Sequence, residues 1–350
     1  VVLSGTGPGP CQNPFTTGPM AVPAVSVTNC AGRVVLSNLD IRPGFLGRGI
    51  QATSSAGLIL DHLIVATSPF TCGTPLFPCC EAPCFGEAIW TAGADVSLND
   101  SSVLGIAASS ALQVDGPAQA LVARTALQGA EGVTVSPCGI SGGYVGLGGG
   151  DGLEATSGAI VRISAGPGAL AAGGDGAQGS CTCPTCVSGP GGHAIFASAA
   201  SVLRAPDLPL LPGPGAGSPP CNGAPGSGSF GSTVTVAASP LPSLGVVPVL
   251  ASPGGAVGLD VRGARGSLYV VGAADAPGFQ SIAGVGGPLL LDPATLVVAF
   301  SGTLGPSGSA AIFTAVPPDP SISTAVLFLQ PATMDPSGVS LGPAVPFVVL

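Results

Sequence analysis

The stretch Gly150-Asp-Gly-Leu-Glu-Ala-Thr-Ser-Gly-Ala-Ile-Val-Arg-Ile163 decides the fold, because its pattern recurs along the chain. It opens with Gly-x-Gly/Ala-Ile/Leu, and further copies begin at Gly47, Gly86 and Gly192. A unit that repeats in this way indicates a fold built by stacking. A second short apolar strand follows each copy, at Leu58–Leu60, Val96–Leu98, Ile160–Ile163 and Val202–Leu203.

The first apolar residue of each unit gives the repeat length. Two intervals are short, from Val27 to Ile50 and from Ile89 to a weaker copy at Leu112, and both have the same length. The intervals from Ile50 to Ile89, from Leu112 to Leu153 and from there to Ile195 are much longer. The short interval suits one coil of three short strands, and Gly, Val, Ile, Ser and Thr favour strands and turns over helix. The longer units therefore contain insertions, which we expect to leave every coil at the same corner.

This repeat length assigns the strands of six coils. The fourth coil takes its third strand from Val133–Val135, and the sixth coil ends at Leu211. Val1–Ser4 is predicted either as the last strand of an incomplete coil or as a frayed end. Gly146–Gly150 neither follows a strand of a βαβ unit nor opens a helix, so we predict a flexible loop and no phosphate site there.

Eleven cysteines are the disulfide candidates, and most of them lie in the predicted insertions. Such cysteine-rich loops indicate an oxidising, extracellular or cell-surface location. Because neighbouring strands are ~4.8 Å apart and bridged Cα atoms ~5.5–6 Å apart, loops stacked on one side could be bridged. An odd count leaves at least one cysteine free or bonded to another molecule. The candidates are Cys11, Cys30, Cys72, Cys79, Cys80, Cys84, Cys138, Cys181, Cys183, Cys186 and Cys221.

Composition excludes several classes of protein. The chain has 57 Gly and 37 Pro residues among 350, yet 46% of its residues are hydrophobic and patterned, which favours an all-β protein over disorder. Charged residues make up 7%, Lys is absent and the net charge is −9, so a nucleic acid is not an expected partner. No apolar run reaches the ~18–20 residues of a membrane-spanning helix. We predict no cofactor.

The pattern changes after the sixth coil. Residues 212–231 form a Pro/Gly-rich linker or loop, and residues 232–350 contain longer strands, beginning with Thr233–Ala238, that are separated by turn signals. The fold class is therefore all-β: a parallel β-helix solenoid over residues 1–211, followed by a small antiparallel β-sandwich over 232–350.

Residues 1–211 resemble the right-handed parallel β-helix superfamily, which includes pectate-lyase-like proteins, in coil length, stacked apolar strands and loops at one corner. Gly266–Gly272, Gly302–Ala310, Leu327–Gln330 and Asp335–Gly338 make the last part similar to C-terminal β-sandwich modules of secreted bacterial surface proteins. The first resemblance implies a catalytic Ca²⁺ cluster with an Arg or Lys base in the enzymes of that superfamily, whereas the second implies surface retention.

Ten polar residues on the coils are the candidates for chemistry, and we do not expect them to share one repeating position. Asp61 and His62 are an acid–His pair, but neighbours in a strand point to opposite faces, so we expect no contact between them. His193 is interpreted as a turn residue. Cys181-Thr-Cys183-Pro-Thr-Cys186 is read as a disulfide segment, so no metal site is predicted. The candidates are Asp40, Arg42, Asp61, His62, Asp95, Asp100, Asp115, Arg124, Glu154 and Arg162.

Two functions remain open. The first is a secreted, non-catalytic structural or adhesive protein that self-associates head-to-tail, or joins other surface proteins, in a fibre or surface assembly. The second is a carbohydrate-active lyase or hydrolase, or a glycan-binding protein, with its site beside the stacked loops. Paired carboxylates in a cleft would favour the second, although the few aromatic residues, with Trp90, Tyr144 and Tyr269 as the only Trp and Tyr, weaken it.

Overall fold

The structure is a computed structural model that describes residues 2–4, 23–30, 33–42, 48–55, 57–66, 86–135, 145–178, 188–217, 222–231 and 233–350. Almost all of its regular structure is β-strand. The described helical structure is one short 3₁₀ turn at Pro320–Ile322.

Three parallel sheets of seven strands each make up the first two thirds of the chain, and the chain visits them in turn. We call this region the coil stack. The first sheet contains Val25–Thr28, Ile50–Thr53, Ile89–Ala92, Leu112–Asp115, Leu153–Thr156, Ile195–Ser198 and Ser229–Phe230. The second contains Val34–Ser37, Leu58–Asp61, Val96–Asn99, Gln119–Ala123, Ile160–Ile163, Ser201–Arg204 and Val234–Val236. The third contains Val2–Ser4, Asp40–Arg42, Ile64–Val65, Ser102–Leu104, Ala126–Gln128, Leu170–Ala172 and Leu210–Leu211.

The register of the paired strands confirms most of the predicted repeat intervals. Ile50 pairs with Ile89, which is followed by Leu112, Leu153 and Ile195 in the same row. On its other side Ile50 pairs with Val25 rather than with the predicted Val27, so the first interval is slightly longer than predicted. The row from Ile50 to Ile195 is fully buried, because alternate strand residues point into the shared core of the coil stack.

The predicted third strand of the fourth coil is wrong. Ala126–Gln128 takes that place in the third sheet, and Thr134–Val135 instead pairs antiparallel with Val145–Gly146. Val133–Val135 resembles a coil strand in sequence because it is apolar and β-branched. Its position after the third sheet places it at the start of the insertion.

Positive φ angles turn the chain at two corners. The residue after each first-sheet strand has φ > 0, including Asn29, Ser54 and Ser157. At the next corner, the same holds for Asn38, His62, Asp100 and Arg124. Asn, Asp, His and Gly are the residues that most readily adopt this left-handed conformation, which explains the polar residues after the apolar strands.

The third corner, between the third and first sheets, is where the insertions leave the coils, as predicted. The prediction of a flexible loop at Gly146–Gly150 is wrong, because six extended segments pack there into a hydrogen-bonded bundle. Gly150 and Leu147 donate to the carbonyls of Ala130 and Val133 at 2.8 and 2.9 Å. The segments, which we call the glycine bundle, are 129–135, 145–152, 173–178, 188–194, 212–217 and 222–228.

Donors in the glycine bundle repeat every third residue. Gly174 and Ala177 donate to the carbonyls of Gly150 and Leu147, and the next segments continue the pattern. Three residues per turn is the period of a polyproline II helix, which has no internal hydrogen bonds and so must pair with its neighbours when packed. A Cβ on Gly174 would lie 1.8 Å from the Ala130 oxygen, so only glycine permits this approach.

The parallel sheets continue beyond residue 231. Ser229–Phe230 pairs with Ile195–Ser198, and Val234–Val236 pairs with Ser201–Arg204. The strand predicted at Thr233–Ala238 therefore belongs to the coil stack rather than to the β-sandwich. Its short, apolar, β-branched sequence is equally suited to either sheet.

The rest of the chain is a β-sandwich whose two sheets share one core, which includes Leu244, Val261, Val271 and Phe347. One sheet contains Ser243–Val247, Ala256–Arg262 and Ser309–Ala315. The other contains Leu250–Ala251, Val345–Val349, Val326–Asp335, Leu268–Ala274 and Val297–Thr303, with Val285–Gly286 and Gly338–Leu341 at its side. Pro277–Gln280 pairs with Leu289–Leu291.

The β-sandwich covers the outer face of the second sheet. Ile59 and Leu121 point away from the coil core, yet they are buried against Leu290, Leu291 and Phe328. Polar contacts cross the same junction: Arg33 donates to the Pro277 carbonyl at 3.0 Å, and Arg124 pairs with Asp260 at 2.9 Å. The central strands of the second sheet are consequently covered, whereas the first sheet keeps an outer face of mixed, partly exposed side chains.

Candidate functional site

Polar and aromatic side chains lie in aligned rows on the outer face of the first sheet. Neighbouring strands place one member of each row beside the next, at the ~4.8 Å spacing of adjacent strands. The middle row is Gln51, Trp90, Gln113, Glu154, Phe196 and Phe230. We call this face, with the corner residues that flank it, the first-sheet site.

Trp90 is held in place at the centre of this site. The Arg48 guanidinium lies over its ring, 4.2 Å from the centroid, and its indole N–H donates to Asp115 at 2.7 Å. Arg48 in turn pairs with Glu87 at 2.6 Å. The stacked cation and the indole hydrogen bond together fix the orientation of the ring.

Asp115 and Glu154 supply acceptors on neighbouring strands. Asp115 accepts hydrogen bonds from Trp90, from the Gln113 amide and from the Thr156 hydroxyl, so both of its oxygens are engaged. Glu154 accepts from the buried Ser110 hydroxyl at 2.9 Å through Oε2. Burial, and to a lesser extent the nearby carboxyl groups, raises the pKa of Glu154 despite that hydrogen bond.

Asp151 lies at the corner beside Glu154. Burial raises its pKa from 3.8 to about 6, and the backbone N–H of His193, 2.6 Å from Oδ1, opposes that shift. The Asp151 carboxyl therefore changes charge close to neutral pH.

His193 is also part of the site, where its neutral imidazole is a hydrogen-bond donor. Its Nδ1 accepts the backbone N–H of Ser227 at 3.0 Å, which leaves Nε2 as the protonated nitrogen, and burial lowers the pKa of the ring. The ring stacks on Phe230 at 4.7 Å between centroids, and Phe230 lies 5.6 Å from Phe196 at an interplanar angle of 4°. Half of Phe230 is exposed, so this end of the site presents an aromatic platform.

Asp61 and His62 do contact each other, contrary to the prediction. His62 occupies a corner with φ of 50°, which breaks the strand alternation and brings Nδ1 to 2.8 Å from Asp61 Oδ2. The hydrogen bond to Asp61 raises the pKa of His62. His62 is thus a turn residue whose ring faces the acid.

Four of the ten polar candidates also meet at the junction with the β-sandwich, so the expectation that they share no position is wrong. His62, Asp100 and Arg124 occupy the same corner of three successive coils, and Asp61 lies beside them. Arg124 pairs with Asp100 at 2.7 Å. The sequence did not reveal this cluster, because the separation between the first apolar residue of a unit and this corner differs by one residue between the coils.

The other candidates are dispersed. Asp40 and Arg42 form an ion pair on the outer face of the third sheet. Asp95 accepts the backbone N–H of Gln119 at 2.7 Å, and burial raises its pKa. Arg162, whose pKa burial lowers, lies beside Gly286 of the β-sandwich. Asp115 and Glu154 are the two candidates that the first-sheet site brings together.

Sequence reasoning missed most of the first-sheet site. Trp90, Phe196, Phe230 and His193 are not grouped by the sequence pattern, since long insertions separate them. For Trp90, Phe196 and His193 the signal was the position directly after, or two residues before, the first apolar residue of the unit. Phe230 follows Ser229 in the matching position, so aligning the units on that apolar residue would have grouped the other three but not Phe230.

Cys30 is the one disulfide candidate within the described residues, and it is a free thiol whose Sγ lies 3.7 Å from the Thr28 carbonyl. The other ten candidates lie outside those residues, so the predicted bridges stay a prediction. The part of the chain that the structure describes has no helix with the length and hydropathy to cross a membrane. No protein-family model matches the chain, and no curated protein matches it.

Proposed function

We propose that the protein is an extracellular, non-catalytic adhesive protein that binds a glycan on the first-sheet site, and that its coil stack is a right-handed parallel β-helix solenoid. The observation that carries this proposal is the unbroken row from Trp90 to Phe230 on a sheet whose outer face no other described sheet covers. A row that repeats at the strand spacing suits an extended polymer running along the stack. The secreted location rests on the cysteine content of the loops.

The chemistry of the row fits a sugar. The apolar C–H face of a pyranose ring packs against aromatic rings, and Phe196 and Phe230 offer nearly parallel rings for it. Sugar hydroxyls need acceptors and donors at the edge of that platform. Glu154, beside Phe196 in the row, is an acceptor, and His193 Nε2 is a donor.

The charged groups around the first-sheet site limit the class of polysaccharide that could bind there. Four carboxyl groups, of Glu87, Asp115, Asp151 and Glu154, surround the site, against the single guanidinium of Arg48. A polyanion such as polygalacturonate would be repelled, whereas a neutral polysaccharide would not. Adhesion is favoured over hydrolysis by an Asp115–Glu154 pair, because Asp115 already accepts hydrogen bonds from three donors and is poorly placed to activate water.

The test is affinity electrophoresis of the full chain in gels containing neutral, acidic or amino polysaccharides. We expect a neutral polysaccharide to retard the wild type and polygalacturonate to have no effect. Phe196→Ala combined with Phe230→Ala should abolish the retardation. Phe313→Ala is the matched control, because Phe313 is 87% exposed and lies on a strand of the β-sandwich rather than on the first sheet.

Two results would contradict glycan binding. One is the absence of retardation by any polysaccharide, and the other is equal retardation of the double variant and the wild type. Release of reducing sugar from a retained polysaccharide, lost in Glu154→Gln, would instead favour the carbohydrate-active enzyme.

A second candidate, the subunit of a fibre or surface assembly, is favoured by the last strands of the coil stack. Leu211 and Val236, on the final strands of the third and second sheets, are 54% and 52% exposed. Among the described residues each of these strands is paired along one edge, and an unpaired edge is a template for another chain. The occupant we propose is a second copy of this chain, stacked end to end.

A further inference from the structure

Arg162 is a charged side chain in the junction between the coil stack and the β-sandwich. It lies on the fifth strand of the second sheet, beside Leu121 and Leu203 of the neighbouring strands. Because Val161 and Ile163 point into the coil core, Arg162 points outward, to the side on which the β-sandwich packs. Arg162 is only partly exposed, and burial lowers the pKa of its guanidinium.

The guanidinium of Arg162 has no acceptor in the part of the chain that the structure describes. Its N–H groups make no hydrogen bond or ion pair there, and no nearby carboxyl group raises its pKa. A partly buried positive charge without a counterion is costly. The other partly buried arginines differ from it, because each of them donates to a carbonyl or carboxyl oxygen. They are Arg33, Arg48, Arg124, Arg204 and Arg262.

Gly286 of the β-sandwich leaves room for this guanidinium. A Cβ on Gly286 would lie 2.7 Å from Arg162 Nη1, 2.9 Å from Nη2 and 3.0 Å from the Ser340 hydroxyl oxygen. Gly286 is not one of the left-handed glycines, so space rather than backbone conformation explains why a glycine stands there. The guanidinium and the Ser340 hydroxyl therefore border the same bare stretch of backbone.

The Ser340 hydroxyl is unused as well, since it makes no hydrogen bond with the described residues. One donor group from the coil stack and one from the β-sandwich thus meet at a point that holds no described acceptor. Donors that are partly shielded from water favour an acceptor that enters from solution. Arg162, Gly286 and Ser340 are all partly exposed, so solutes can reach this point.

We propose that Arg162 and Ser340 bind a tetrahedral oxyanion, a phosphate or sulfate group, at this junction. A guanidinium binds two oxygens of such a group side by side, and a third oxygen outside their plane is left for the hydroxyl. A carboxylate offers no third oxygen and fits the two donor groups less well. The bound group supplies the missing counterion of Arg162 and links the coil stack to the β-sandwich. This site lies on the second sheet and is independent of glycan binding on the first.

Isothermal titration of sodium sulfate and sodium phosphate into the full chain, at constant ionic strength, tests the proposal. We expect both anions to bind at one site and sodium acetate to bind more weakly. Arg162→Met should weaken sulfate binding by at least about tenfold, because it removes the charged donors and keeps an apolar stem. Ser340→Ala should weaken it by a smaller factor. Arg265→Met is the matched control, since Arg265 is exposed on the β-sandwich.

Affinity electrophoresis in dextran sulfate distinguishes a group carried on a polymer from a free ion. Retardation that Arg162→Met abolishes would assign the group to a polymer, whereas sulfate titration without retardation would assign it to the free ion. Both arms use the Phe196→Ala, Phe230→Ala background, so that the first-sheet site does not contribute.

Thermal unfolding separates anion binding from a role of Arg162 in the fold. Without sulfate or phosphate, Arg162→Met should melt at or above the temperature of the wild type, because the unpaired guanidinium does not stabilise the junction. Sulfate stabilises proteins in general, so the expected result is a larger shift for the wild type than for the variant. A wild type that binds neither anion, or an Arg162→Met protein that binds them equally well, would overturn the proposal. So would an Arg162→Met protein that melts well below the wild type in the anion-free buffer.

Discussion

At Asp151, burial and one hydrogen bond act on the same carboxyl group in opposite directions, and burial dominates. The pKa is raised from 3.8 to about 6. The folded protein therefore binds this proton more tightly than the unfolded chain does. Between those two pH values the contribution of Asp151 to stability falls as the pH rises, and above the folded-state pKa the full penalty remains.

Asp151→Asn should remove this penalty while retaining an acceptor for the His193 N–H. At pH 8 we expect the free energy of unfolding of the variant to exceed that of the wild type by up to about 3 kcal/mol. Near pH 4 we expect the two free energies to match. Urea unfolding at both pH values measures the difference. The exposed Asp207→Asn is the control, and a gain of equal size at pH 4 would contradict the titration argument.

At the scale of the elements, the coil strands and the glycine bundle differ in what their sequences reveal. Ile89, Leu112 and Leu153 share a row that the repeat spacing predicts, because inward apolar residues have a regular period. The glycine bundle has no apolar period, since its segments are held by backbone hydrogen bonds. Gly146–Gly150 therefore resembles a loop in sequence, although it is packed between neighbouring segments.

Gly174→Ala should destabilise the bundle strongly. Its Cβ would lie 1.8 Å from the Ala130 oxygen, and the backbone would have to move, at a cost of about 3 kcal/mol or more. Gly93→Ala is the matched control, because it meets no atom within 4 Å and costs only about 1–2 kcal/mol for its positive φ. Thermal unfolding of both variants gives the comparison, and equal losses would argue against tight packing.

For the whole molecule, the β-sandwich determines which surfaces remain available. It covers the second sheet, so the sequence could suggest Asp61 and Asp100 as polar residues but not their meeting with Asp260, which is far along the chain. The first-sheet site could not be predicted from the sequence either, because only the strand register places Trp90 and Phe230 in one row. Local pattern predicted the coils, whereas contacts between distant segments could not be read from it.

Self-association is the prediction at this scale. Sedimentation velocity of the full chain should show a series of oligomers that grows with concentration, because the unpaired last strands can meet the next molecule. Val236→Asp combined with Leu211→Asp should reduce the series to monomer, while Phe313→Asp should leave it unchanged. A wild type that stays monomeric at all concentrations would contradict the assembly.

The three corners of the coil have unequal freedom to change length over evolution. At the first two, links of only two to six residues join the strands, and most of these links begin with a left-handed residue that turns the chain at once. The third corner already accepts segments of very different length, from the short link between Leu104 and Leu112 to the long insertions. Homologues should therefore vary in length mainly at this corner or by whole coils, which lets the surface beside the first-sheet site diversify while the scaffold stays constant.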